Sequence, residues 1–165
     1  SRGARALNEI VPQAIALMPA NHRPTVVHQS GAAQIDALRA NYAAAGVEAE
    51  LTPFIDDTAS AFAAADIIVC RAGASTVTEI AAVGAASIFV PFPSAVDDHQ
   101  TTNAQFLVNA GGGWLVQQRD LTPQGLSEML LKLERSTLVD VALKAKNMQK
   151  INATREVVTA CEELA

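Results

Sequence analysis

Apolar runs of four to six residues alternate along this chain with alanine-rich stretches whose apolar positions recur at helical spacing, the pattern of βα units around a parallel sheet. Five runs read as strands: Thr25 to His28, Glu50 to Phe54, Asp66 to Cys70, Ala86 to Val90 and Trp114 to Gln117. Helices are predicted over about 4–18, 32–45, 57–65, 75–83 and 99–110, so that each strand leads into a helix. Ile67-Ile68-Val69-Cys70 and Ser87-Ile88-Phe89-Val90, bounded by Gly73, Gly84 and Pro91, are apolar enough to be buried on both faces and should be central strands. From about residue 122 the pattern is helical only. Thr122-Pro123 sets an N-cap before proline at the first helical position, and Leu126, Met129, Leu130 and Leu133 then share one face. Further helices are predicted over about 137–148 and 153–164. No repeat, linker or low-complexity tract interrupts residues 1–165, which read as one α/β domain: a Rossmann-like, three-layer parallel-sheet sandwich with a helical C-terminal tail.

Composition narrows the partners. A length of 165 residues suits one domain, and 50% hydrophobic residues exclude a disordered chain. With 12 lysines and arginines against 17 acidic residues, the net charge is −5, which speaks against nucleic acid or an anionic membrane surface as a partner. No apolar run reaches the roughly 18 residues of a membrane span, and no signal peptide is recognisable, so a cytoplasmic protein is expected. Cys70 and Cys161 are too few for a disulfide framework and read as small buried hydrophobes. The chain opens on Ser1-Arg2-Gly3-Ala4-Arg5, without methionine and already in helical pattern, so an upstream part is expected.

In an open parallel sheet, ligands bind beyond the carboxyl ends of the strands. After Cys70 comes Arg71-Ala72-Gly73-Ala74-Ser75-Thr76-Val77-Thr78-Glu79, where small residues permit close approach to a helix N-terminus carrying about half a positive charge. Phosphate on that helix end and ribose hydroxyls on Glu79 would make a nucleotide site. The same residues also fit a capping box, with Ser75 or Thr76 as N-cap and Glu79 folded back on the backbone. No G-x-G-x-x-G occurs, and Gly111-Gly112-Gly113 precedes a strand, which disfavours a dinucleotide enzyme. After Val90, two prolines stiffen a loop leading to Asp97-Asp98-His99-Gln100-Thr101-Thr102-Asn103, in which Gln100 and Asn103 suit sugar hydroxyls and amides. Asp97, Asp98 and His99 are adjacent and cannot easily converge on one ion, so no metal is expected, and Asp97 or Asp98 reads as an N-cap. In Phe54-Ile55-Asp56-Asp57 the acidic pair reads as a cap, while the backbone of Ile55 has the chemistry to meet a flat base edge. His22 and His28 read as surface or strand histidines. No nucleophile and base pair stands at recognisable spacing, so the chain shows binding chemistry and no catalytic residue of its own.

Taken in order, S-x-G-A-R-x-L-N at the start, F-I-D-D-T-A, R-A-G-A-S-T-V-T-E-I-A-A-V-G, and F-V-P-F-P with D-x-x-Q-x-x-N-A resemble the C-terminal domain of the MurG family. These are the undecaprenyl-diphospho-muramoylpentapeptide N-acetylglucosaminyltransferases of bacterial peptidoglycan synthesis. The resemblance runs over essentially the whole chain and is densest from Phe54 to Ala104. It implies the C-terminal half of a GT-B glycosyltransferase fold, binding UDP-N-acetylglucosamine as a substrate with no cofactor and no metal. The lipid I acceptor, the general base and attachment to the cytoplasmic face of the inner membrane would belong to an N-terminal domain.

By motif, the resemblance implies that Ile55 meets uracil through its backbone. Gly73, Ala74, Ser75 and Thr76, with Val77 and Thr78 behind them, would hold the diphosphate, helped by the charge of Arg71. Glu79 would take the ribose, Gln100 and its neighbour His99 the N-acetylglucosamine, and Ser1 would also meet the donor. His99 stands where a second glutamine is frequent, and Arg2 where glutamine is common. Alternative readings are another GT-B lipid glycosyltransferase, half of a UDP-sugar epimerase, and a UDP-sugar-binding module without chemistry.

Overall fold

The computed structural model describes residues 5–93, 98–150, 158, 159, 161 and 162. Its elements, in chain order, are α1 (Arg5–Ala16), β1 (Val27–Gln29), α2 (Ile35–Ala45), β2 (Glu50–Thr52), α3 (Thr58–Ala64), β3 (Ile68–Cys70), α4 (Ala74–Val83), β4 (Ser87–Phe89), α5 (His99–Val108), β5 (Trp114–Leu115), α6 (Pro123–Lys132) and α7 (Arg135–Asn147). Every predicted strand lies where expected but is shorter, and the ladder runs on past the strand ends through Glu50 N–H to Val26 O and Val90 N–H to Cys70 O. Thr122 caps α6 by accepting the Gly125 N–H at 3.0 Å, with Pro123 in the first turn as the sequence predicts. Of the helix predicted over 153–164, most residues lie outside those described, as do Ser1, Arg2 and Asp97.

All pairing is parallel, but the single sheet expected is divided in two. β1 pairs with β2, and β3, β4 and β5 form a second sheet with β4 in the middle. Side-chain alternation on the second sheet builds two cores. Ile68, Cys70, Phe89 and Leu115 face Val77, Ile80 and Ala81 of α4, Ala104 and Leu107 of α5, and Ala145 of α7. Ile67, Val69, Ile88, Val90 and Trp114 face Leu7 and Ala14 of α1 and Leu126 of α6. β3 and β4 are thus covered on both faces, as their unbroken apolar runs require. Cys70 belongs to the first core, and burial pushes its thiol up to about 12. Cys161, expected to be buried, is exposed.

The three consecutive glycines have a packing reason. A Cβ on Gly112 would lie 2.8 Å from the Ala145 backbone in α7, and one on Gly113 would lie 2.9 Å from Ser87 O and from the Phe89 ring. Close approach of α7 and β4, not ligand binding, fixes glycine here.

α1 joins the two sheets. It packs on both α2 and α6, and while Leu7 and Ala14 lie on the second sheet, Asn8 reaches His28 of β1. Pro12 sits inside this helix and has no N–H for the carbonyl of Asn8 four residues back. That carbonyl instead accepts the Asn41 side-chain amide from α2 at 2.9 Å. The side chain repairs a defect in α1 and pins α2 to it. Asn41→Leu is therefore expected to cost about 1 kcal/mol, read as a lower urea midpoint at unchanged m-value.

Candidate functional site

The loops after β2, β3, β4 and β5 carry nearly all the polar residues singled out in the sequence. At the centre is the start of α4. Its N-cap is Gly73, and no side chain caps it. The first intrahelical bond is Val77 N–H to Gly73 O at 3.0 Å, so the N–H groups of Ala74, Ser75 and Thr76 have no acceptor within the helix. The capping box open in the sequence does not form. Glu79 does not fold back; it lies exposed one turn further along, and its Oε2 accepts the hydroxyl of Thr58 at 3.3 Å. That bond ties the start of α3, and with it the carboxyl end of β2, to α4.

Gly73 is not demanded by the protein's own structure. Its φ of −63° is open to any residue, and a Cβ there would meet nothing nearer than Thr76 Oγ1 at 3.8 Å.

Two positions grouped with the phosphate loop do other work. The Val77 side chain is in the core and its N–H is bonded to Gly73 O, while the Thr78 hydroxyl donates to Ala74 O at 2.9 Å. Neither presents a group to the helix end. Arg71 is engaged by the protein's own groups. Its Nη1 donates to the carbonyls of Val90 (3.0 Å) and Pro91 (3.2 Å), its Nη2 donates to Gln118 Oε1 (2.7 Å), and the guanidinium lies 5.5 Å from the Phe92 ring centroid. It knots the ends of β3, β4 and β5 together.

Gln100 and Asn103, on the first turn and a half of α5, hold the loop before α4. Gln100 Oε1 accepts the N–H of Ala72 (3.3 Å) and of Phe92 (3.0 Å), and Asn103 Nδ2 donates to Ala72 O (3.1 Å). Both backbone groups of Ala72 are thus held by one helix. Among the described residues, Gln100 Nε2 meets no acceptor. His99 begins α5, exposed, and Asp98 precedes it as N-cap at φ 51°, without a capping bond; its carboxylate accepts the Thr101 hydroxyl at 2.7 Å. Among the described residues, no three His, Cys, Asp or Glu side chains are placed to hold a metal ion.

At the end of the first sheet, Asp57 caps α3 as read from the sequence, accepting the Ser60 N–H (2.9 Å) and hydroxyl (2.6 Å), and these bonds hold its carboxyl below the usual range. The Ile55 N–H donates to Gln29 Oε1 at 2.9 Å. Sequence reasoning missed Gln29, Thr58 and Gln118. Gln29 ends β1 and Gln118 stands three residues beyond β5.

The sequence matches the Glycosyltransferase family 28 C-terminal domain over residues 1–162. It is 76% identical over 164 residues to the UDP-N-acetylglucosamine–N-acetylmuramyl-(pentapeptide) pyrophosphoryl-undecaprenol N-acetylglucosamine transferase of Paracidovorax citrulli, covering 99% of this chain and 46% of that protein. It is 59% identical over 165 residues to the transferase of the same name from Cupriavidus necator, again covering 46% of the relative. The crystal structure of Acinetobacter baumannii MurG superposes with a TM-score of 0.87 at 43% identity, over 98% of this chain and 47% of that one. Glycosyltransferase VinC, at 17% identity and a TM-score of 0.63 over 96% of this chain and 38% of that one, shares the fold. The chain spans about half the length of the relatives it matches. With this coverage and identity, the chain belongs to glycosyltransferase family 28, of which it is a C-terminal domain.

Proposed function

We propose that this domain is the donor-binding half of an inverting glycosyltransferase that moves N-acetylglucosamine from UDP-N-acetylglucosamine to lipid I, forming lipid II of peptidoglycan. The observation that carries the reading is the uncapped start of α4 beside Glu79. Three N–H groups have no intrahelical acceptor, a Cβ at Gly73 would meet no atom nearer than 3.8 Å, and a carboxylate stands one turn away. This is a ready place for a diphosphate with a ribose beside it. The names of the relatives supply the donor and the undecaprenol-linked acceptor.

In this reading Ala74, Ser75 and Thr76 bind the diphosphate, and Glu79 accepts both ribose hydroxyls. Ile55 meets uracil, Gln100 Nε2 meets the sugar with His99 next to it, and Ser1 adds a contact to the donor. As the acceptor hydroxyl attacks the anomeric carbon, the bond to UDP breaks and negative charge grows on the departing diphosphate. The α4 N-terminus is already oriented to stabilise that charge. The bound anion needs no excess of basic residues, which reconciles the donor with a net charge of −5. No residue of this chain is assigned as general base. That base, the acceptor site and membrane attachment at the cytoplasmic face fall to the other half of a protein of the relatives' length. No helix among the described residues is long and apolar enough to cross a membrane.

Calorimetric titration of the chain with UDP tests the reading, alongside Gly73→Ala. The variant is expected to keep the wild-type melting temperature while its affinity for UDP falls about fivefold, because the added methyl crowds the ligand and not the protein. An equal affinity in the folded variant would remove the diphosphate from this loop.

A further inference from the structure

We propose that Gln29 is an internal stand-in for the nucleobase: its carboxamide holds the Ile55 amide until the carbonyl of a bound base displaces it. The inference rests on the reading of the Ile55 loop as the base subsite. Gln29 ends β1 and is the register partner of Thr52, which ends β2. The turn beyond Thr52 is braced by its own hydroxyl, which donates to Phe54 O at 2.7 Å and accepts the Phe54 N–H at 3.3 Å. The next amide, that of Ile55, donates across the sheet end to Gln29 Oε1 at 2.9 Å.

A primary carboxamide presents the edge O=C–N–H. The imide edge of uracil presents the same order of acceptor and donor, so the side chain offers this backbone position what the base would offer. A base with an amino group at that place has no acceptor for the Ile55 N–H and repays nothing for the lost glutamine bond, which makes the exchange selective for a carbonyl. The contact is also built to be given up. Gln100 Oε1 accepts two backbone N–H groups in a partly buried position, and Gln118 is held by a charged guanidinium. Gln29 is exposed, makes this contact through one neutral hydrogen bond, and loses rotamer freedom in keeping it.

The test follows the Ile55 amide by proton–nitrogen correlation spectra as UDP is added to the wild-type chain, with calorimetric affinities for UDP and for inorganic diphosphate on wild type, Gln29→Ala and Gln29→Met. The Ile55 resonance is expected to move with UDP, and both variants to bind UDP about two- to tenfold more tightly while their affinity for diphosphate stays the same. If the Ile55 amide responds but the variants bind UDP no better, Gln29 is no competitor and the inference fails while the base subsite stands. Tightening for diphosphate as well would equally overturn it, because diphosphate has no base to exchange. An Ile55 amide that stays still at saturation overturns the base subsite and the inference together.

Discussion

Replacing Glu79 by alanine is expected to weaken UDP binding by roughly 10- to 150-fold, the 1.5–3 kcal/mol of hydrogen bonds made to a charged acceptor. The carboxylate lies on α4 beyond the three N–H groups proposed for the diphosphate, so in that reading phosphate and ribose are gripped by one helix. Its Oε2 takes the Thr58 hydroxyl at 3.3 Å, a long bond that aims the side chain without occupying both oxygens. Thr58→Val should therefore cost far less than Glu79→Ala. Isothermal titration of the two variants beside wild type separates the roles. Equal losses would mean that Glu79 matters only as a link between α3 and α4, and an unchanged Glu79→Ala affinity would take the ribose away from it.

The second large effect concerns stability and pH. His28 packs edge-on against Tyr42 with ring centroids 5.7 Å apart. Its Nδ1 lies 3.0 Å from the Tyr42 hydroxyl and its Nε2 lies 3.0 Å from Asn8 Oδ1. A neutral ring protonated on Nε2 satisfies both, donating to Asn8 and accepting from Tyr42. Desolvation of this site lowers the His28 pKa to about 4 from an ordinary 6.5. Above pH 6.5 the ring is neutral in both folded and unfolded chains, and the native state is not penalised. Below 6.5 the unfolded chain takes up a proton that the folded one refuses, so stability falls as pH drops toward 4, by about 3 kcal/mol in all. Urea midpoints measured from pH 7 to pH 4 for wild type and His28→Gln should diverge in that window. The variant is expected to show a slope shallower by this amount, and parallel curves would show that His28 protonates freely in the fold.

His28 also marks where sequence reading reaches its limit. Its partners stand 14 and 20 positions away, on α2 and α1, and nothing in a linear pattern brings them together. What the pattern did carry was local. The unbroken apolar runs Ile67 to Cys70 and Ser87 to Val90 already announce strands covered on two faces, and Thr122-Pro123 announces the start of α6, because alternation and capping act within a few residues. The Gly73 loop was legible for the same reason: a strand end, small residues and a helix start are contiguous. Choosing between a capped and an uncapped helix was not possible from spacing, since Glu79 could fold back or reach Thr58. Arg71, Gln100 and Asn103 were recognised as polar groups near a strand end, but their bonds run to Val90, Gln118, Ala72 and Phe92, across separations that only the packed sheet closes. The division of the sheet was equally hidden. Strand runs reveal burial, whereas pairing depends on how α1 spans β1 and β4.

The double hold on Ala72 has a kinetic meaning. A phosphate-binding loop that floats before its ligand arrives must be ordered during binding, and association then slows while the chain searches. Here the N–H and C=O of Ala72 are both fastened to α5 by the protein's own side chains. The entropy of that segment is surrendered once, during folding. Encounter with an anion at the α4 terminus should then be a single fast phase whose rate follows ligand concentration, and the energy of the contact is left to slow departure.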